Sequence, residues 1–207
     1  MGSFPVHKVF ISYHHANDQD YKARLLNLND RLSIFIDKSV DTGDIDPDLP
    51  DETIRMKIRD EYLRNSTVTI LLAGTETAGR KHIDWELYSS MIDGQVNKKS
   101  GIVVVQLPST NPQNFTAAHG DVEKKQVYPE VSDWCSINSR SEYERRYPYL
   151  SARMIDQLLA KDAKVSVTQW SRIGKNLENL ALLIDCACQD RANFDYDLSR
   201  SMKKKDS

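Results

Sequence analysis

Thr67 to Met91 reads TVTILLAGTETAGRKHIDWELYSSM, and this succession of apolar strand, polar loop and amphipathic helix decides the fold. Thr67 to Ala73 is β-branched and aliphatic without alternation, bounded by Asn65-Ser66 and Gly74. A run of that kind fits a parallel strand covered on both faces rather than a surface strand with one wet side. The helix opens near His82 to Asp84. Ligand sites in open α/β sheets form where loops leave the carboxyl ends of the strands, so Glu86, in the first turn of this helix, stands where a ligand would be met.

The same pattern recurs on either side. Lys8 to Tyr13, KVFISY, is a strand that turns polar at once in HHANDQD. Asn17, Asp18 or Asp20 can cap a helix carrying Tyr21, Leu25, Leu26 and Leu28, which Asn27 to Asp30 would end. Ser33 to Asp37 reads as a second strand, and Lys38 to Pro50, rich in Asp, Gly and Pro, as a long surface loop. Asp51-Glu52 open a helix with Ile54, Ile58 and Tyr62 at fourfold spacing and an acidic start that suits the dipole. After the Glu86 helix, which ends near Gly94, Gly101 to Leu107 supplies another buried strand. Four strands alternating with helices imply right-handed crossovers and a mainly parallel central sheet with helices on both faces: a three-layer α/β domain.

From Pro108 to Tyr149 the pattern dissolves into Pro, Asn, Ser and charged residues. A connection of that length carries its own small structure, and a short strand near Asp133 to Ile137 and a helix over Ser151 to Leu159 are expected. The last element is a helix with Trp170, Ile173, Leu177, Leu180, Ile184 and Ala187 on one stripe. The whole reads as one domain over residues 1–200, with a core at 6–107, an elaborated part at 108–200 and a disordered tail at 201–207.

Composition narrows the function. The chain has 207 residues, 40% of them hydrophobic, and a net charge of -2, which gives no general attraction to nucleic acid; Lys203 to Lys205 reads as a solvated run. Cys135, Cys186 and Cys188 are too few and too scattered for a disulfide framework, which points to a reducing compartment. No apolar run reaches the length of a bilayer span, and the start MGSFPV is neither a signal peptide nor a myristoylation site, so a cytoplasmic location away from membranes is expected.

Several chemistries fail on residue type. Gly74 to Lys81, GTETAGRK, has the glycine spacing of a P-loop, but Arg80 and Lys81 stand where Lys then Ser or Thr are needed, and magnesium would lose its hydroxyl ligand. The loop amides could still hold a phosphate. No GxGxxG follows any strand, the end of the central strand offers Ala73 and Gly74 rather than a phosphoacceptor Asp, and the histidines show no zinc spacing, so no metal is expected. What remains is a polar cleft: Ser12, Tyr13 and His14 leave the first strand, Asp37 the second and Thr75 the third, all on the edge that Glu86 faces, with Trp85 and Tyr13 as aromatic surfaces for a base.

VFISYHH at Val9 to His15, FID at Phe35 to Asp37, TVTILLAGTET and IDWEL around Glu86 together resemble a bacterial TIR-like domain, in particular the TIR-like subunit of the Thoeris antiphage defence system. The resemblance is close over Val6 to Leu107. It implies a flavodoxin-like core and cleavage of NAD, as substrate rather than cofactor, with release of nicotinamide and Glu86 as the catalytic residue. It further implies cyclisation of the remaining ADP-ribose to a diffusible signal for a partner effector protein, a phage-derived trigger and a homo-oligomer. A non-catalytic TIR interaction module and a nucleoside deoxyribosyltransferase-like enzyme are the alternatives. One carboxylate suffices for the first chemistry: nicotinamide leaves NAD neutral, so no general acid is needed, unlike the two-carboxylate arrangement of ordinary glycosidases.

Overall fold

The structure, a computed structural model, describes residues 4–39, 49–94, 97–160 and 162–207. Five strands form one sheet: β1 (His7–Ser12), β2 (Phe35–Asp37), β3 (Val68–Ala73), β4 (Gly101–Gln106) and β5 (Ser166–Gln169). Their order is β2-β1-β3-β4-β5 and every pairing is parallel. The fold is a three-layer flavodoxin-like α/β sandwich.

The two central strands, β3 and β4, are buried at all of their positions, as continuous apolar runs require when helices cover both faces. Side chains alternate. Val9, Ile11, Ile70, Leu72, Val103 and Val105 meet α1 (His15–Leu32) and α8 (Leu177–Asp190) on one face. Leu71, Ala73, Ile102 and Val104 meet α3 (Lys81–Ser90) and α6 (Ala152–Leu159) on the other. Phe10 packs there against α2 (Asp51–Lys57) and the π-helical turn that prolongs it through Tyr62.

Both edges of the sheet are closed, which removes the backbone groups through which sheets aggregate. On β2, the Asn29 carboxamide takes the place of a neighbouring strand: Nδ2 donates to the Phe35 carbonyl at 2.9 Å and Oδ1 accepts its N–H at 3.0 Å. On β5, Thr116 pairs antiparallel with Val167, each N–H donating to the other's carbonyl at 2.9 Å.

Four sequence expectations change. Ser166 to Gln169 is the fifth strand, and Asp133 to Ile137 is irregular; Trp134 there spends its apolar surface edge-on against Phe115 and Tyr128 instead of in a sheet. The chain also forms α4 (Gly120–Val127) before that irregular segment and α5 (Arg140–Arg146) after it. The final stripe is two helices, α7 (Trp170–Ile173) and α8, separated at Gly174 to Asn176, where the Asn176 side chain caps α8 by accepting from the Glu178 N–H. α1 runs on to Leu32 because Ser33 takes a left-handed conformation and donates its N–H to Asn29.

The fourth change concerns residues 201–207, expected as a disordered tail. They lie across α3: Met202 is buried beside Trp85, Lys203 donates its N–H to Asp84, and Asp206 accepts the Lys81 N–H at 2.7 Å, serving as the cap that the helix lacks locally. A lysine-rich run hides this because its charges suggest solvent, whereas Lys203 donates its ammonium to the Ala78 and Gly79 carbonyls and uses its backbone toward Asp84 and Trp85. Among the described residues no helix is long and apolar enough to cross a membrane.

Gly101 marks where β4 passes α8. A Cβ there would stand 2.2 Å from the Ala187 carbonyl oxygen, and two backbones must separate to admit it. Gly101→Ala is therefore expected to lower stability by about 2 kcal/mol, the middle of the overpacking range. Urea unfolding checks this; an unchanged midpoint would mean that the two elements part at little cost.

Candidate functional site

In a sheet of this order the strand sequence reverses between β1 and β3, and the crevice outside their carboxyl ends is where ligands bind. β1 delivers Ser12 to that crevice; β3 delivers Gly74, followed by a 3₁₀ turn at Thr77–Gly79 and then α3. Because α3 starts at Lys81, Glu86 lies in its second turn rather than its first. That moves it away from the helix end, where a carboxylate would simply complement the dipole.

Glu86 is 4% exposed, Ser12 is 0% exposed, and the Ser12 hydroxyl donates to Glu86 Oε2 at 2.6 Å. The helix carrying Glu86 is fixed from both sides. Below it, Ser90 donates to the Glu86 carbonyl and its hydroxyl meets that of Thr69 on β3 at 2.8 Å. Beside it, Asp84 receives a bidentate bond from Arg153 of α6 at 2.8 and 2.9 Å. α3 thus carries two buried carboxylates, of which Asp84 is structural.

Of the other residues expected at the cleft, His14 stays beside it, next to Asp18 and Arg80, and the rest are spent on other contacts. Tyr13 points to the opposite face of the sheet from Ser12, as alternation demands, stacks on His15 at 4.5 Å and donates to Gln19. His14 caps α1, its Nδ1 accepting the Asn17 N–H at 3.1 Å. Asp37 turns back to accept the Ser39 N–H at 2.8 Å, and Ser39 Oγ in turn accepts from Ile11. Thr75 is exposed. Trp85 is 1% exposed, donates Nε1–H to the Lys203 carbonyl and fills the cluster of Phe10, Ile54, Ile58 and Leu63; it is core, not an aromatic platform.

Asp18 is the residue that sequence reasoning passed over, having weighed it only as a helix cap. It is buried at the same crevice, its carboxylate oxygens 2.4 and 2.6 Å from where a Cβ on Gly74 would sit, with Thr77 Oγ1 at 3.5 Å. Burial raises its pKa, with the nearby His14 opposing. A glycine directly after a buried strand was the available signal, since it makes room for a side chain from another element. With a carboxylate against Gly74 and its N–H donated to Thr77, this loop is no phosphate cradle.

His14 gives the site a pH signature. An Nδ1 that accepts an N–H carries no proton, so the neutral ring holds its hydrogen on Nε2. Burial lowers its pKa, and Arg80 adds to the effect. Below the ordinary value of about 6.5, the unfolded chain therefore binds a proton that the folded chain refuses. Stability falls as pH drops through that value and levels off once the lowered folded pKa is passed. His14→Asn keeps a cap and removes this step. Its melting temperature should drop less than the parent's between about pH 7.5 and 5.5; parallel curves would show that His14 does not titrate against folding.

Within the irregular stretch Pro108 to Tyr149, Thr116 and Ala118 bond to β5, with β3 and β4 between them and Ser12, so this part of the chain does not cover the crevice. Of the surface loop Lys38 to Pro50, residues 40–48 lie outside the described residues. Among the described residues no three of His, Cys, Asp or Glu gather as metal ligands, and the three cysteines are free.

Residues 10–112 match the family described as Thoeris protein ThsB, TIR-like domain. The match runs from the second half of β1 through β4, includes Ser12 and Glu86, and stops short of β5. No curated protein matches the chain.

Proposed function

The chain carries a TIR-like domain of the Thoeris ThsB family, and from that premise we propose that it cleaves NAD at Glu86, releasing nicotinamide and closing the ADP-ribose that remains into a cyclic signal for a separate effector protein. The observation that supports this reading best is the buried Glu86 carboxylate, held at 2.6 Å by the last residue of β1 beside the switch point of the sheet.

The chemistry needs little else. The bond from the ribose anomeric carbon to the nicotinamide nitrogen breaks with its electron pair going to the pyridinium ring, which departs neutral. Positive charge develops on the ribose carbon and ring oxygen, and a fixed carboxylate stabilises it where no water must reorganise. Ser12 holds the carboxylate in one orientation. A nucleophile within the ADP-ribosyl group then attacks the same carbon and loses its proton, and proximity favours it over water because intramolecular partners reach effective molarities far above that of the solvent.

The test is incubation of the full chain with NAD, alone and with a lysate of phage-infected cells, followed by chromatography and mass spectrometry. Nicotinamide should appear together with a product lighter than ADP-ribose by one water. Nicotinamide with linear ADP-ribose alone would make the protein a hydrolase, and no nicotinamide under either condition would overturn the enzymatic reading.

A further inference from the structure

Away from Glu86, straddling the β5 edge, the chain forms a half-open cavity of about 620 Å³. This lies in the size range of small-molecule sites. Five separate stretches wall it: the Gln113 to Ala118 segment paired with β5, α4 through Lys124, the irregular loop Val131 to Asn138, α5, and the end of α6 with the approach to β5. The family match ends before these walls are complete, and none of the chemistry assigned to Glu86 uses them.

The lining is specific in kind. Lys124, Arg146 and Lys164 line it together with the carboxylate of Asp133; Arg146 is already paired with Glu142 at 2.6 Å, and among the described residues neither lysine has an ion-pair partner, which leaves two cations for a ligand. Trp134 and Phe115 supply aromatic surface, and the Lys124 ammonium stands 4.9 Å from the centre of the Trp134 ring. Cations suit phosphates, aromatic rings suit a planar base, and a carboxylate suits the paired hydroxyls of a ribose. We propose that this cavity is a second binding site, taking an adenosine diphosphate-class nucleotide with its phosphates at Lys124 and Lys164 and its base against the aromatic wall.

The position gives such a ligand a path to the other site. Leu158 and Leu159, at one end of α6, wall the cavity, while Arg153 near the other end grips Asp84, two residues before Glu86. Binding itself does not depend on Glu86 being catalytic, so the experiment leaves NAD cleavage aside.

Cys135 is exposed and lines the cavity, so its thiol reports occupancy at this place and not at Glu86. The full chain is treated with an aromatic disulfide reagent with and without millimolar ADP, with Cys135→Ser identifying which phase belongs to this thiol. ADP should slow modification of Cys135 at least fivefold. The charge-reversed double variant Lys124→Glu/Lys164→Glu, confirmed as folded by its melting temperature, should bind ADP at least tenfold more weakly in equilibrium dialysis and lose the protection. Adenosine alone and inorganic pyrophosphate alone should each protect less than ADP. An unchanged Cys135 rate with ADP, an unchanged affinity in the double variant, or pyrophosphate protecting as well as ADP would each overturn the proposal.

Discussion

Glu86→Gln is expected to leave the chain folded and to lower nicotinamide release at least a hundredfold. Glutamine has nearly the same volume, and its side-chain carbonyl can still accept the Ser12 hydroxyl that now bonds Oε2 at 2.6 Å. The negative charge disappears as one carboxylate oxygen becomes an amide NH2, and with it goes the stabilisation of the developing ribose cation. Removing one preorganised electrostatic contact costs about 2.7–4 kcal/mol in the barrier, or roughly a hundred- to a thousandfold in rate. Because Glu86 is 4% exposed, burying an amide instead of a carboxylate should not destabilise the variant, and its urea midpoint should equal or exceed the parent's. The pairing of the two measurements is what makes the test sharp. A variant that is stable and turns NAD over at the parent rate removes Glu86 from the chemistry, whereas loss of both rate and midpoint would mark the carboxylate as structural, like Asp84.

The parts of this fold that sequence reasoning recovers are those governed by continuous burial. Ile70 to Ala73 and Ile102 to Val105 are apolar because both faces of the sheet are covered, and no tertiary detail is needed to see it. Ser166 to Gln169 fails that test. It is four residues long, only Val167 is aliphatic, and its outer edge is satisfied by Thr116 rather than by another strand.

The site divides in the same way. Ser12 and Glu86 follow from topology and from the family motif, since strand ends and the following helix must meet at the crevice. His14, Asp37 and Trp85 were placed there by adjacency in sequence, which takes no account of where side chains turn. Alternation sends Tyr13 away from Ser12, a free Nδ1 next to an uncapped helix turns His14 into a cap, and a helix buried on several sides draws Trp85 into the core. Asp18 was hidden for the opposite reason, because its partner Gly74 is 56 residues away and has no side chain to reveal the contact.

Arg153→Met is expected to cost about 3–5 kcal/mol of stability, the range for breaking a buried ion pair from one side, against a total of about 5–15 kcal/mol for a domain. The Arg153 side chain is 0% exposed and that of Asp84 3%. Methionine would fill much of the volume but leave the Asp84 carboxylate in the interior with, among the described residues, the Lys203 N–H at 2.9 Å and the more distant charge of Arg200 to answer it. Removing both charges tests whether the loss is electrostatic. Asp84→Leu/Arg153→Met should recover most of the stability, since an apolar pair of similar size often equals a buried salt bridge. The recovery should stop short of complete, because Arg153 also donates to the carbonyls of Arg200 and Ser201 at 3.0 Å, and those bonds fasten the final residues across α3. In the double variant, limited proteolysis should therefore cut near Arg200 to Lys204 sooner than in the parent, even as the urea midpoint returns. A single variant that loses less than about 1 kcal/mol would show that water reaches Asp84; a double variant no better than the single would show that Arg153 acts through the strap and its packing on Tyr88, whose ring centre lies 4.6 Å from the guanidinium carbon.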